Sequence, residues 1–289
     1  MSTCDSVIVH YGPPEPTIAL ACAALRWSES VIVVANDLRD RPTDCPAGVD
    51  WLVPTRNLGF GEALNLACEI SKSDVLLALN NDIVLDAEDV HRCLSEFIDP
   101  SVAVVGPVLR FEDGTVQSAA GRLSAVLQLP IMDLTIPDSP RDCVWVTGAV
   151  MGLRRETLAN IKMDGAFFLG CEDVDYCLRV AQAGGRVRIV PCTRALHYGS
   201  VVLAGPRWHY YVTRNPIWLT RKHRPGMWWA MTFAHKSLMT VRVVIADLVK
   251  RRGSERSVSS LHGLADSMRN KPLQQPWSDE PRPSSWLTW

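Results

Sequence analysis

Leu76-Leu77-Ala78-Leu79-Asn80-Asn81-Asp82 is an apolar run that breaks off into three polar side chains. A strand without polar alternation is buried on both faces, as in parallel sheets covered by helices. Similar short β-branched runs stand at residues 6–9, 31–35, 51–53, 75–79 and 102–105, and helical spacing fills 16–27, 61–72 and 87–97. That alternation is the sequence form of a mainly parallel sheet flanked by crossover helices, so the predicted class is α/β. From Cys143 the pattern loosens into an apolar stretch ending at Gly152, a helix from Arg155, an acidic helix over 172–183 and a strand over 187–190. Pro13-Pro14 follows the first strand, and neither a dinucleotide glycine motif nor a phosphate-binding P-loop occurs there, which weakens both readings.

The composition belongs to an ordinary globular chain: 47% of the 289 residues are hydrophobic and 21% charged, which excludes collagen-like, disulfide-scaffold and mainly disordered classes. A net charge of −1 gives no reason to expect a nucleic-acid partner. It hides a split, however. Residues 207–256 hold eleven Lys and Arg against Asp247 and Glu255, a net of +9, and residues 1–206 carry −10. Nine cysteines without a Cys-x-x-Cys pair suit a reducing cytoplasm. No basic leader precedes Val7-Ile8-Val9, so no signal peptide is expected.

Three places carry polar groups beyond what local structure requires. Asn80-Asn81-Asp82 follows the carboxyl end of a strand, where open α/β sheets bind ligands. A single carboxylate there suits Mg²⁺ or Mn²⁺, and a plain strand-to-turn junction is the simpler alternative. Arg56-Asn57-Leu58-Gly59-Phe60-Gly61 opens a helix that includes Asn65, where glycines and a helix N-terminus favour an anion or simply make a turn. Phe167-Phe168 leads through Gly170-Cys171 to Glu172-Asp173-Val174-Asp175. Acidic residues suit a helix's first turn. Three exceed what a cap needs, and a carboxylate beside apolar rings can have a raised pKa suited to a general base. His197 follows the 187–190 strand.

These stretches, with Gly148-Ala149-Val150-Met151, Arg154-Arg155-Glu156, Leu178-Arg179, Gly184, Pro191 and Arg214-Asn215, occur in the order seen in family-two glycosyltransferases. Over residues 6–215 the chain most resembles the rhamnosyltransferase-like branch of these inverting enzymes. The resemblance implies a GT-A fold over 1–206, with a Rossmann-like nucleotide half at about 1–105 and an acceptor half at about 106–206. It implies transfer of a hexose or deoxyhexose, rhamnose first, from a dTDP- or UDP-sugar by a single displacement. The acceptor would be a hydroxyl of a glycan, a lipid-linked sugar or a small glycoside. In this reading Asp173 is the catalytic base and Glu172 orients the acceptor. Asp82 and His197 hold a divalent cation, Mg²⁺ or Mn²⁺. His10, Tyr11, Asn36, Asp37, Arg56, Asn57, Gly61, Asn65, Asn80 and Asn81 join Asp82 around the nucleotide sugar, and Trp145, Gly148, Arg179 and Arg214 support the acceptor. The chain departs from the pattern where Asn80 replaces the usual Asp of the metal signature and where Gly170-Cys171 replaces bulkier residues. The alternative is an inactive sugar-binding or scaffold protein of the same fold, against which Asp173 and His197 argue.

Beyond the resemblance, helices are expected over 208–222 and 227–250, then a loosely ordered tail over 254–289. The basic helical extension covers 207–253. On a helical wheel Met231, Ala234, Leu238, Val241, Ile245 and Val249 share one side, opposite Thr232, Lys236, Thr240 and Asp247. With Trp228, Trp229 and Lys250-Arg251-Arg252, this amphipathic helix suits an anionic membrane surface on the cytoplasmic face, or else packs its apolar side on the protein core or a homo-oligomeric partner. Finally, Asp175 is expected to cap the helix or to pair with a basic neighbour such as Arg179, one helical turn on.

Overall fold

The computed structural model describes residues 3–198, 205–251 and 253–269. They fall into two compact units. The larger takes residues 3–122, 132–168 and 172–198, and the smaller takes 123–131, 169–171 and the described residues from 205 onward.

The chain begins with β1 (Cys4–His10), α1 (Pro14–Ala24), β2 (Ser30–Ala35), β3 (Val49–Leu52), α2 (Gly59–Ile70), β4 (Val75–Asn80), β5 (Ile83–Val84), α3 (Ala87–Ser95) and β6 (Val102–Pro107). Short strands follow: β7 (Leu109–Arg110), β8 (Val116–Ser118), the paired β9 (Ala120–Leu123) and β10 (Pro130–Asp133), and β11 (Arg141–Asp142). Then come β12 (Val150–Arg154), α4 (Arg155–Asn160), α5 (Glu172–Gln182), β13 (Arg186–Val190) and β14 (Leu196–His197). The smaller unit contains α6 (Pro206–His223), α7 (Met227–Val249) and α8 (Glu255–Ser267).

Eight strands make one sheet in the order β11-β13-β6-β12-β4-β1-β2-β3. β1, β2, β3 and β4 are mutually parallel, β13 is parallel to β6, and β12 runs antiparallel between β4 and β6. The mixed α/β architecture is therefore the predicted one, and the long strands match their expected positions within about two residues. The reason is burial. Val31 to Ala35 and Val75 to Leu79 are sealed on both faces, so each side chain is removed from water and contributes about 1.5–3 kcal/mol when large. Pro14 opens α1, where its missing N–H and fixed φ suit the first turn. β7 to β11, each two to four residues long, lie where the sequence gives no periodic signal.

Within the smaller unit the structure corrects the expectation of a loose tail from 254 onward. Residues 255–267 form α8, which packs on α6: Tyr210 donates to Asp266 Oδ2 at 2.9 Å and Trp218 Nε1 donates to the carbonyl of Ser267 at 3.2 Å. A Cβ at Gly263 would stand 2.6 Å from the Tyr210 carbonyl. The small Ser and Gly side chains that suggest looseness are what permit this close approach. Residues 270–289 lie outside the described ones. No described helix is long and apolar enough to cross a membrane.

The α7 helix has the two sides that the wheel predicts, but its polar side is the packed one. Thr232 Oγ1 donates to the Leu127 carbonyl at 2.8 Å, Lys236 Nζ to the Val212 carbonyl at 2.9 Å, and Asp247 accepts from Arg256 and from Ser257 Oγ. On the apolar side Leu238, Val241, Ile245 and Val249 are more than half exposed.

Candidate active site

Register gathers the polar groups. Val9 of β1 lies opposite both Val34 of β2 and Asn80 of β4, and β12 enters beside the end of β4, with Val150 opposite Leu79. His10, Tyr11, Asn36, Asp37, Asn80, Asn81 and Asp82, together with Gly148 before β12, therefore share one edge of the sheet. Asn80 N–H donates to the Ala149 carbonyl at 2.9 Å, and Asn81 Nδ2 donates to the Tyr11 carbonyl at 3.3 Å.

A second small sheet, in the order β5-β14-β7-β8, brings in His197. His197 pairs with Ile83 across β14 and β5, and Tyr198 N–H donates to the Asp82 carbonyl at 3.1 Å. The imidazole Nδ1 lies 2.6 Å from Gln117 Oε1 on β8. An amide oxygen only accepts, so Nδ1 carries the proton, and a neutral ring then turns the Nε2 lone pair toward Asp82 Oδ1, 3.2 Å away. Neither of these two buried atoms has a hydrogen-bond partner. Two lone-pair atoms facing one another repel unless a cation or a second ring proton stands between them. Two adjacent ligands about 2.1 Å from one octahedral ion lie about 3 Å apart, which is the spacing here. One carboxylate and one imidazole fit a divalent cation whose other positions are filled by water and substrate oxygen. Among the described residues no group of three or more His, Cys, Asp or Glu could hold a metal by itself.

The acidic motif follows a contorted stretch of backbone. Phe168, Gly170 and Cys171 have φ of 61°, 81° and 73°. For the non-glycine residues such a conformation costs about 1–3 kcal/mol each, strain of the kind that collects at functional sites. The stretch is tied at both ends. The Phe168 carbonyl accepts from Phe60 N–H at 3.2 Å, and Asn215 Nδ2 donates to the carbonyls of Leu169 and Gly170 at 2.9 and 2.6 Å. Gly59, φ 69°, is the residue on which Phe168 rests: a Cβ there would come within 2.5 Å of the Phe168 carbonyl oxygen.

At the start of α5, Asp173 Oδ2 accepts from Gly148 N–H at 2.9 Å and Oδ1 from Val174 N–H at 2.8 Å. Burial pushes its carboxyl above the ordinary range, and these backbone donors only partly oppose the rise. Gly148 is confined by Phe60, whose ring would stand 2.9 Å from an added Cβ. Asp175 is fully buried and accepts from Arg179 Nε at 2.8 Å, the predicted pair, and Arg179 Nη1 also donates to the Lys162 carbonyl. Glu172 is buried beside them. Each residue turns about 100° around the helix, so the three carboxylates diverge.

Several expected contact residues also hold the scaffold. Asn36 donates to the Gly59 carbonyl at 2.9 Å and accepts from Leu58 N–H at 3.1 Å, which occupies both ends of its amide. Asn65 does the same with the backbone of Met163, at 2.9 Å each way. Asn57 Oδ1 accepts from Gly59 N–H, Gly61 packs against Met163, and Arg56 pairs with Glu62 on the surface. Trp145 is a packing residue, laid over Gly121 with its Nε1 donating to the Arg122 carbonyl. Arg214 is buried over the rings of Tyr210, Tyr211 and Trp218 within the smaller unit.

His10 and Asp37 do meet at the edge. His10 Nε2 is 3.3 Å from Asp37 Oδ2, its Nδ1 shares a 2.7 Å hydrogen bond with Thr17, and its ring lies 5.2 Å from that of Trp51. Burial alone would raise the Asp37 carboxyl, but the hydrogen bond and charge of His10, with Arg39, bring it below its ordinary value. Sequence reasoning missed Gln117, Thr17 and Trp51. Only the general rule that a ligating His needs an orienting partner pointed to a residue such as Gln117.

Against known proteins, residues 10–231 match the family model described as "Glycosyltransferase like family 2". The chain is 28% identical over 189 residues to rhamnosyltransferase WbbL of Escherichia coli K12, covering 56% of this chain and 71% of that protein. It is 23% identical over 261 residues to an N-acetylglucosaminyl-diphospho-decaprenol L-rhamnosyltransferase of Mycobacterium tuberculosis, covering 77% and 85%. In structure it resembles the mannosyltransferase PcManGT of Pyrobaculum calidifontis, solved with GDP-Man and Mn²⁺. That match has a TM-score of 0.56 at 12% identity and covers 92% of this chain and 87% of that one. The fold is thus GT-A.

Proposed function

The chain belongs to glycosyltransferase-like family 2, and from that premise we propose that it transfers a deoxyhexose, rhamnose first, from a nucleoside-diphosphate sugar to an acceptor hydroxyl with inversion. The observation that carries the reading is the Asp82–His197 pair, whose buried Oδ1 and Nε2 atoms lie 3.2 Å apart at the carboxyl edge of the sheet. The rhamnosyltransferase relatives support the choice of sugar, and the acceptor named for the mycobacterial one supports a lipid-linked glycan.

In this reading the nucleotide lies along the ends of β1 and β2, near His10, Tyr11 and Asp37, with Asn36 and Asn65 positioning the loops around it. Asp82 and His197 would hold a divalent cation, Mg²⁺ or Mn²⁺, which when bound offsets negative charge on the departing diphosphate. Asp173 takes the acceptor's hydroxyl proton as the acceptor oxygen bonds to the anomeric carbon. The bond from that carbon to the diphosphate oxygen breaks in the same displacement, the nucleoside diphosphate leaves, and the proton passes from Asp173 to solvent. Gly148 N–H and the start of α5 keep Asp173 oriented through the step, and its raised pKa strengthens it as a base. No second carboxylic acid is required, because a diphosphate leaves without protonation.

The test is nucleotide release from a panel of dTDP-, UDP- and GDP-sugars, with and without a lipid-linked acceptor. Release that depends on the acceptor and is highest with a dTDP- or UDP-deoxyhexose is expected. Release at the same rate without acceptor, or none from any donor, would overturn the reading.

A further inference from the structure

The smaller unit carries a surface that the transfer reaction does not use. On α7, Thr232, Thr240 and Asp247 are 0, 3 and 3% exposed, whereas Leu238, Val241, Ile245 and Val249 are 51, 52, 54 and 76% exposed. With Met227, Ala234 and Leu248, also exposed, these apolar residues recur every three or four positions along the face opposite the buried one. Scattered exposed apolar side chains need no explanation, but a continuous row along 23 residues, about 33 Å of helix, does.

The helix cannot roll over to hide the row. Thr232, Lys236 and Asp247 are held from beneath by Leu127, Val212, Arg256 and Ser257, and rolling would break each of those hydrogen bonds. The charge around the row has one sign. Arg242, Lys250 and Arg251 are exposed on α7 or just after it. Of the three acids in residues 205–269, Asp247 and Asp266 are buried against Arg256 and Arg269, so Glu255 is the exposed one. An apolar row flanked by exposed cations complements a surface that is apolar below and anionic above.

We propose that this face of α7 docks in the plane of an anionic lipid bilayer. The apolar row enters the boundary between headgroups and acyl chains, and Arg242, Lys250 and Arg251 meet the lipid phosphates. The helix lies on the membrane and does not span it. This inference does not depend on the identity of donor or acceptor, and its test uses neither.

Full-length protein is floated with vesicles of phosphatidylcholine alone and of phosphatidylcholine mixed with phosphatidylglycerol, at low and high salt. Flotation only with the anionic vesicles, weakened by salt, is expected. Val241→Glu with Ile245→Glu should abolish it without changing the circular dichroism spectrum or Tm, since both side chains are exposed. Lys250→Ala with Arg251→Ala should weaken partitioning about thirtyfold. Absence of anionic-dependent flotation, or equal flotation of the Val241/Ile245 variant, would overturn the proposal. So would a dimer in solution that the same pair of substitutions dissolves, because the face would then bind a second copy. Nucleotide release with a water-soluble acceptor and no vesicles reads the transferase separately, so failure of either idea leaves the other standing.

Discussion

The sheet edge and α7 both mix apolar and polar residues in regular patterns, yet they treat the polar ones in opposite ways. At the end of β4 the apolar residues are sealed inside and Asn80, Asn81 and Asp82 are delivered to the edge. On α7 the threonines, the lysine and the aspartate go inward, and Leu238, Val241, Ile245, Leu248 and Val249 go outward. A periodic pattern therefore defines two sides but not which side is packed. Hydrogen-bond partners weigh in that choice, and on α7 Thr232, Lys236 and Asp247 each have one to reward their burial, worth about 1 kcal/mol net where neutral and more where charged.

If the edge is the reactive region, the sharpest break comes from Asp173→Asn, which keeps shape and removes the basic oxygen. Transfer should fall about 10²- to 10⁴-fold while donor binding, followed by calorimetry, persists. Burial raises the Asp173 carboxyl, so the acid limb of kcat/KM in the native enzyme should lie above the ordinary aspartate value of about 3.9. Asp175→Asn being the more damaging to transfer, with the fold intact, would refute this assignment.

Asp82→Ala should come next, with a loss of about 10²-fold or more and weakened Mn²⁺-dependent donor binding. His197→Ala should show a partial version, because water can replace one neutral ligand. Full activity of the native protein in EDTA would remove the cation from the account. Gln117→Ala leaves both groups in place but frees the imidazole to turn, so Mn²⁺ affinity should drop about 10- to 100-fold, readable by titration without turnover.

On stability, Asp175→Asn deprives the Arg179 guanidinium of its carboxylate and should lower unfolding free energy by about 2–3 kcal/mol in denaturant melts. The smallest effect sharpens the α7 side of the contrast. Burial pushes the Lys236 ammonium below its ordinary value, so the unfolded chain holds that proton more tightly and stability should rise with pH through the window between the lowered value and about 10.5. Lys236→Met should flatten that rise.

The sheet was legible because buried strands are unmistakable in composition: Val75 to Leu79 contains no polar residue at all. The Asp175–Arg179 pair was legible because helical spacing marks it, and motif order singles out Asp82, His197 and Asp173, whose roles are our proposal. Gln117 was not, since it sits on a three-residue strand with no period and its partner is 80 positions away. Asn36 and Asn65 were recognised as important, but as ligand contacts. Nothing local distinguishes an amide that meets a substrate from one that meets Leu58, Gly59 or Met163. The interior packing of Trp145 and Arg214 was hidden for the same reason, because a large polar-tipped side chain reads alike whether it lines a pocket or fills the interior. The α8 helix was hidden by its serines, and the orientation of α7 by partners distant in sequence.

The amide brackets Asn36 and Asn65 fix loops of the larger unit, and Asn215 fixes Leu169 and Gly170 within the smaller one, none of them bringing a formal charge. A frame held by neutral groups does not respond to ionic strength or to proton concentration over the physiological range. Changes in ionic strength would therefore leave these backbone contacts in place even where they weaken ion pairs such as Asp175–Arg179.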